Sequence, residues 1–549
     1  MIVDTVKITF NDGSTHEYKK GTSYYEISKD FNMNNIVGVR IKNELYALDK
    51  RANRDDTVEF INTNDNIGNK IYRSGLKYIF QVALAEVFPD LTIHYEHSVP
   101  KGILGVVVGE RILIHDDIVK IKERMAEIVR DNIPIQKINV TAKEAIKYYE
   151  EVGEFEKAEN VKNIHDKVVS LYKLKNHLNY FFSLMPYSTG LIDKYELVYL
   201  GNNRIIFLFP STSTNGVVPE YVHFGKIIDS FMEGTEWLKT IEVPYISDIN
   251  KKISENKIRE FVKSCEIHQN ICISKIVKEI IDRKDVKYIL IAGPSSSGKT
   301  TTTGRLTSYF AAMGYHPIQI SLDDYFVDRE LTPKNEDGTY DFECVEALNI
   351  DRFNHDLSAL LNGETVTLPK FNFLTGKSET SKQVVTMHKD TIFLIEGLHA
   401  INDKLTESVD NKYKYKIYLS PFIPVNIDKH NYISTLDLRL IRRIVRDNRT
   451  RGYNVEETLD NWTRVRKGED KFIFPFIHQA DAIINTALEY ELNVLKVYVE
   501  PLLLSVSPKS PYYEEARRLT DSLKQYWTIP SEYVDNNSVL REFIGGLDD

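Results

Sequence analysis

The sequence predicts an α/β protein. A parallel sheet covered by helices on both faces carries a phosphate-binding loop, and a small β-rich module and a mixed α+β region precede it. Three observations point there. From residue 286 onward, short apolar runs alternate with longer helical stretches, the grammar of a sheet buried on both sides. Gly293-Pro-Ser-Ser-Ser-Gly298-Lys299-Thr300 completes the pattern GxxxxGK[ST] directly after such a run. Residues 1–62 read as a small β-rich module, in which Val6-Lys-Ile-Thr-Phe10 alternates before an Asn11-Asp12-Gly13 turn. With 549 residues, three or four domains are expected. The 42% apolar and 27% charged content excludes a disordered or fibrous chain. A net charge of −9 argues against a surface given over wholly to nucleic acid, while leaving room for a local basic site.

In chain order, residues 6–10 and 14–18 are predicted as a hairpin, 24–31 as a short helix, and 36–41 and 57–61 as further strands. The Asn-, Asp- and Gly-rich stretch 62–69 reads as a linker. Residues 76–87 have helical spacing, stopped by Pro89, and 118–130 form a charged amphipathic helix ended before Pro134. Thr141-Ala-Lys-Glu144 is a capping-box start. Residues 226–284 read as helical connecting structure, periodic from 253 to 281. The parallel sheet then takes strands at 288–292, 318–322, 391–395 and 414–418, with a helix at 301–313. Pro508 and Pro511 break the pattern before a helical tail. The expected division is 1–62, 68–225, 226–284, 285–505 and 506–549. Three cysteines without a CxxC pair are read as reduced thiols. An acidic early N-terminus and the absence of any long apolar run predict neither a signal peptide nor a membrane span, and hence a cytoplasmic protein.

The loop of residues Gly293, Pro294, Ser295, Ser296, Ser297, Gly298, Lys299, Thr300 and Thr301 is an anion nest: successive backbone N–H groups and a helix N-terminus face a polyphosphate. A nucleoside triphosphate and Mg²⁺ are therefore the expected ligands. Lys299 reaches the β- and γ-phosphates, and Thr300 offers its hydroxyl to Mg²⁺. Asp323 and Asp324 follow a strand at the carboxyl end of the sheet, where an acid can take a proton from an attacking hydroxyl. Glu396 ends another strand and can hold Mg²⁺, partly through water. Arg439, Arg442, Arg443 and Arg446 recur at i, i+3, i+4 and i+7, and residues 439–471 hold 10 basic and 6 acidic side chains. Beside a phosphate loop this suggests arginines that neutralise a transferring phosphoryl group.

These residues resemble the uridine kinase/phosphoribulokinase family over roughly 286–505. The likeness rests on the loop, on Ser321-Leu-Asp323-Asp324-Tyr325-Phe326, on Pro369-Lys-Phe371-Asn-Phe373, on Ile395-Glu396-Gly397-Leu398, and on the arginine run through Arg451-Gly452. It implies transfer of the ATP γ-phosphoryl to a nucleoside 5′-hydroxyl. Asp323 would be the base, Lys299, Arg443 and Arg446 catalytic, Arg451 an ATP contact, and Glu343, Tyr325, Phe371 and Phe373 acceptor contacts. Three positions depart from the pyrimidine kinases: Gly376 stands for a base-reading histidine, Tyr453 for an arginine and Asn372 for an aspartate. Residues 1–62 resemble a TGS module, of ubiquitin-like β-grasp fold. Residues 70–155 resemble the editing-type domain of threonyl-tRNA synthetases, with Ser74 and Tyr78 in place of the two histidines of HxxxH. His94 and His97 are out of place for that motif and read as surface or structural. The resemblance implies a nucleoside acceptor; a homo-oligomer is expected, no membrane partner is expected for want of a long apolar run, and the synthetase-like residues 1–225 are a candidate RNA contact. An RNA- or ribosome-associated NTP-binding regulator and a same-fold kinase with a non-nucleoside acceptor are the alternative readings.

Overall fold

The computed structural model describes all residues except 1–3, 32–34, 100, 212–213, 336–337, 423–424 and 547–549. The first sheet holds β1 (Thr5–Phe10), β2 (Thr15–Lys19), β3 (Ile36–Ile41), β4 (Glu44–Tyr46) and β5 (Asp56–Asn62) in the order β2-β1-β5-β3-β4. It is mixed, since β1 pairs with β2 antiparallel and with β5 parallel. Helix α1 (Tyr24–Ser28) closes one face of it as a β-grasp, and a Ser23–Glu26 capping box starts that helix. Asp12 accepts from the Ser14 N–H at 2.8 Å, and Gly13 takes φ +83° to turn the hairpin.

The expected linker at 62–69 is instead largely the first turn of a long helix, α2 (Asn66–Val87). Gly68 explains this start: a Cβ there would lie 1.9 Å from the Asn62 carbonyl oxygen, so only glycine lets the helix begin against β5. Next come β6 (Thr92–Val99), β7 (Gly102–Val108), α3 (His115–Arg130), β8 (Gln136–Thr141), α4 (Ala142–Glu151), α5 (Phe155–Asn163), β9 (Val168–Leu174), β10 (His177–Asn179), β11 (Glu196–Tyr199) and β12 (Arg204–Leu208). They form two antiparallel sheets, β11-β12-β7-β6 and β10-β9-β8. The predicted Thr141–Glu144 box caps α4.

Helices α6 (Gly225–Thr240), α7 (Ile246–Ser254) and α8 (Ile258–Asp282) lead to the parallel sheet. Its strands are β13 (Tyr288–Ala292), β14 (His316–Ser321), β17 (Thr391–Glu396), β18 (Lys414–Ser420) and β19 (Ala482–Asn485), ordered β14-β17-β13-β18-β19 and parallel throughout. All of β13 and β18 is buried, as the apolar runs require. Helix α9 (Lys299–Ala312) follows β13. Helix α10 (Ile350–Leu361) leads into an antiparallel hairpin, β15 (Thr365–Asn372) and β16 (Lys377–Thr386). Helices α11 (Thr435–Arg451), α12 (Val455–Phe472) and α13 (Glu491–Leu504) cover the far side.

The tail carries only α14 (Tyr513–Leu523) and the single turn α15 (Arg541–Ile544); the rest is irregular. It is nevertheless core. Leu519, Leu523, Val539, Leu540 and Phe543 are fully buried against α11 and α13. In the same region Trp237 donates its indole N–H to Glu489 at 2.9 Å, and burial pushes that carboxyl up to about 7. Both folded and unfolded forms are protonated below the ordinary value of 4.5, and stability is lost as pH rises from there through about 7. Glu489→Gln is therefore expected to raise Tm at about pH 8 and leave it nearly unchanged at about pH 4.5. Equal shifts at both pH values in a calorimetric scan would overturn the assignment.

The segment before α11 is wedged into the front half. The Lys429 carbonyl accepts from the Tyr95 N–H at 2.8 Å, and the Ile427 carbonyl accepts from Asn160 at 2.8 Å. The fully buried Asp428 accepts from the Tyr180 hydroxyl at 2.6 Å. Among the described residues, no helix is long and apolar enough to cross a membrane.

Candidate active site

The loop from Gly293 to Lys299 joins β13 to α9 at the carboxyl end of the sheet. A Cβ on Gly293 would sit 2.6 Å from Ser297 Oγ and 2.7 Å from the Leu419 carbonyl oxygen, which accounts for the glycine. Gly298 adopts φ +83°, and Ser296 takes φ +61° without being glycine. This path is braced from outside. Arg439 Nε donates to the Ser295 carbonyl at 2.9 Å, Arg442 Nη1 to the Ser296 carbonyl at 3.4 Å, and the Thr486 hydroxyl to the Ser297 carbonyl at 2.6 Å. With carbonyls drawn outward, the nest is set for an anion. Among the described residues the buried Ser296 and Ser297 hydroxyls have no hydrogen-bond partner, which leaves two donors inside the nest. Lys299 Nζ donates back to the Gly293 carbonyl at 2.9 Å and the Pro294 carbonyl at 3.3 Å. The Thr301 hydroxyl donates to Glu542 of the tail at 3.1 Å, and Thr300 is exposed.

The arginine run divides by depth. Arg439 and Arg442 are 1% and 0% exposed and pair with Glu469 and Glu491. They are structural supports, and neither neutralises a phosphoryl group. Arg443 reaches Ser295 Oγ at 2.9 Å, while Arg443, Arg446 and Arg451 surround the buried Asp447 at 3.1, 2.9 and 3.5 Å. Glu469 accepts from the Ser295 N–H at 3.1 Å, so one carboxylate bridges the loop and the arginine helix.

The acids lie where the strands end. Ser321 and Glu396 are register partners of β14 and β17, and Ser321 Oγ donates to Glu396 at 3.2 Å. Two residues further, Asp323 stands on the turn Leu322–Tyr325 and opens onto the cleft, with no hydrogen-bond partner among the described residues. Although the side chain is exposed at the cleft, the protein packed around it raises its carboxyl above the ordinary range; the Lys299 ammonium opposes this and Asp324 adds to it. Burial likewise raises Glu396, again opposed by Lys299. Asp324 has a different task. It pairs with Lys370 at 3.0 Å and accepts from the Phe371 N–H at 3.4 Å, fixing the hairpin. No group of three or more His, Cys, Asp or Glu able to hold a metal occurs among the described residues. The Thr300 hydroxyl and the Glu396 carboxylate are the oxygen ligands of the kind Mg²⁺ takes, and would hold it together with water and phosphate oxygens.

Glu343 is set against Gly468, whose added Cβ would meet it at 3.0 Å. Burial and the neighbouring Glu469 raise its carboxyl, while Lys299 and Arg443 pull it down. Phe371 and Phe373 stand 5.1 Å apart, the first buried and the second 60% exposed. Phe326 completes the cluster, 5.5 Å from Phe371. Tyr325 does not belong to it. Its ring is buried and its hydroxyl donates to Asp356 at 3.0 Å, because the turn points adjacent aromatics to opposite sides. Sequence reasoning missed Phe326, Glu469 and Glu542; the first was the other aromatic of the same motif.

In the front half, Ser74 lies 2.6 Å from Ser183, and the Tyr78 hydroxyl is 2.7 Å from the His177 carbonyl. The same face of α2 is covered by the inserted segment: Lys77 Nζ donates to the His430 carbonyl at 3.0 Å, and Arg73 to Tyr432 at 3.2 Å. Burial pushes the Lys77 ammonium down to about 7. His97 is stacked on Phe231 at 3.9 Å, and burial lowers it to about 3 and His94 to about 4. Both are structural and neither is a surface residue.

Residues 288–492 match the Phosphoribulokinase / Uridine kinase family. The N-terminal region is similar to threonine–tRNA ligases. That of Desulforamulus reducens is 24% identical over 172 residues, 31% of this chain and 27% of the relative. That of Caldanaerobacter subterraneus is 25% identical over 200 residues, 36% and 31%. The chain thus spans between a quarter and a third of the length of these curated relatives. Among solved structures, one described as a "possible uridine kinase" from Bacillus stearothermophilus has 17% identity and a TM-score of 0.25, covering 38% of this chain and all of that one. A D-glycerate 3-kinase from Cryptococcus neoformans has 13% identity and a TM-score of 0.19, covering 48% and 90%.

Proposed function

We propose, from the premise that residues 288–492 form a phosphoribulokinase/uridine kinase family domain, that this protein phosphorylates the 5′-hydroxyl of a nucleoside with ATP. The observation that carries the reading is the meeting of Lys299, Asp323, Glu396 and Glu343 at one end of one parallel sheet, beside a nest with two unpartnered buried hydroxyls. The loop amides and Lys299 hold the polyphosphate, which requires Lys299 to leave its own loop carbonyls. Thr300 and Glu396 would hold Mg²⁺, which when bound would supply charge neutralisation at the phosphate oxygens. Asp323 accepts the acceptor's hydroxyl proton, for which an unpartnered carboxylate is suited. Arg443, already on Ser295, adds positive charge from the far side of the loop. Glu343 binds the ribose hydroxyls, and Phe326, Phe371 and Phe373 line the base. Residues 1–62 are assigned as a TGS-type module on the mixed sheet and the ligase likeness of this region.

Incubation with ATP, Mg²⁺ and a panel of nucleosides, scored by mass spectrometry, is expected to show a gain of one phosphate on at least one of them. Phosphate gain only on non-nucleoside acceptors, or ATP hydrolysis without any product, would overturn this reading.

A further inference from the structure

The hairpin turn beyond Phe371 holds an arginine that neither the family match nor the reaction accounts for. Gly376 takes φ +71°, and its amide donates to the Asn372 carbonyl at 2.7 Å. Asn372 Oδ1 in turn accepts from the N–H groups of Leu374 and Thr375 at 3.0 and 3.2 Å, so the turn is stiff. Any side chain at 376 would enter occupied space: an added Cβ would lie 2.8 Å from Arg329 Nε and 2.9 Å from Arg329 Cζ. Arg329 is held there by two bonds. Its N–H donates to the Gly376 carbonyl at 2.8 Å and its Nη2 to the Phe373 carbonyl at 2.7 Å.

No carboxylate pairs with Arg329 among the described residues. The neighbouring acid, Asp328, is taken by the Ser378 N–H at 2.8 Å and by Lys377 at 3.3 Å. A guanidinium has five N–H donors in a planar fork, and the turn uses one of Arg329's side-chain donors. The bonded donor ties the guanidinium to the backbone of Phe373, whose ring is 60% exposed and packs edge-on against Phe371 and Phe326. A guanidinium held at the backbone of an exposed aromatic ring presents its remaining donors as a planar fork, the shape that pairs with a flat ring carrying two adjacent acceptors.

The position of the fork selects which edge of the ring it meets. Asp324, next to Asp323, anchors the hairpin at Phe371, and the turn of residues 373–376 that holds Arg329 follows beyond it. On this placement Arg329 belongs to the turn end of the hairpin and the acceptor's hydroxyl to the Asp324 end. On a 6-oxopurine, O6 and N7 are adjacent acceptors on the edge away from the sugar, and arginine reads that pair bidentately. Uracil and adenine offer no such pair, and the adjacent acceptors of cytosine include the O2 beside the sugar.

Resting on the nucleoside-kinase reading, we infer that Arg329 is the specificity-determining residue and that the acceptor is a 6-oxopurine nucleoside, guanosine or inosine. The test compares kcat/KM for guanosine, inosine, 7-deazaguanosine, uridine and cytidine, with a carboxylate-bearing polyol such as D-glycerate as control. Guanosine and inosine are expected to exceed both pyrimidines by about tenfold or more, and 7-deazaguanosine to fall below guanosine by about tenfold. Arg329→Gln is expected to lower kcat/KM for guanosine about 10- to 100-fold through acceptor KM, with ATP KM unchanged and the 7-deaza penalty gone. The deaza comparison needs no variant, so a misfolded substitution does not decide the matter. Preference for uridine or cytidine, equal use of 7-deazaguanosine, or a uniform loss across all acceptors in Arg329→Gln would each overturn the inference while leaving a nucleoside kinase in place. Preference for D-glycerate over every nucleoside would overturn both.

Discussion

Asp323→Asn is expected to lower kcat by about a hundred- to ten-thousand-fold, the range of a positioned general base, with ATP affinity nearly unchanged. The size follows from the carboxylate's isolation. No group among the described residues bonds it, so the amide loses no structural partner and the loop 293–301 keeps its supports. Because its surroundings raise the Asp323 pKa, the acidic limb of wild-type kcat/KM is expected above the ordinary aspartate range: activity falls as pH drops through the raised value and the base protonates. The variant should lose that limb. Turnover by Asp323→Asn within tenfold of wild type would remove the residue from the mechanism. Loss of ATP binding in an equilibrium titration would give it a structural role instead.

Arg442→Met is expected to destabilise the unit containing α11 by about 3–5 kcal/mol, the cost of breaking a buried ion pair from one side. Arg442 Nε and Nη2 meet both oxygens of Glu491 at 2.8 and 2.7 Å, and both side chains are almost wholly buried. Removing the guanidinium strands the Glu491 charge and frees the Thr486 and Ser296 carbonyls. For a unit of roughly 200 residues the loss corresponds to about 10 °C in Tm. The pair's net worth is smaller, since desolvation offsets most of its attraction. Arg442→Met with Glu491→Leu is accordingly expected to regain part of the stability, while nucleotide affinity stays weakened because the Ser296 carbonyl remains unsupported. A single variant losing under about 1 kcal/mol would show that the pair is not what holds the loop.

The strand–loop–helix unit was legible because its signals are local: a five-residue apolar strand, two glycines with steric reasons, and acids at strand ends. The arginine run was legible as a motif but not in its division of labour. Helical spacing says which residues share a face; it cannot say that Arg439 and Arg442 are buried, because their partners Glu469 and Glu491 lie 30 and 49 residues away. The hairpin β15–β16 escaped notice for the opposite reason. Most of β16 is exposed, so the sequence there has no alternation to read. The start of α2 was hidden by residues that favour loops, and only the close approach of Gly68 to Asn62 overrides them. Tyr325 and Phe326 differ by one position, and turn geometry, which composition does not encode, decides which ring meets the cleft.

The wedge at 426–432 changes what modularity means for this chain. The domain order reads like beads on a string, each with its own ancestry, yet the bond network runs across the seam. Tyr180 and Asn160 in the front half find their acceptors on Asp428 and Ile427, and Lys157 finds part of its coordination on His430. Excising either half would leave the other with stranded donors and acceptors in what had been dry interior. The parts could be joined by descent, but they can no longer be inherited separately. A change in one must be answered in the other.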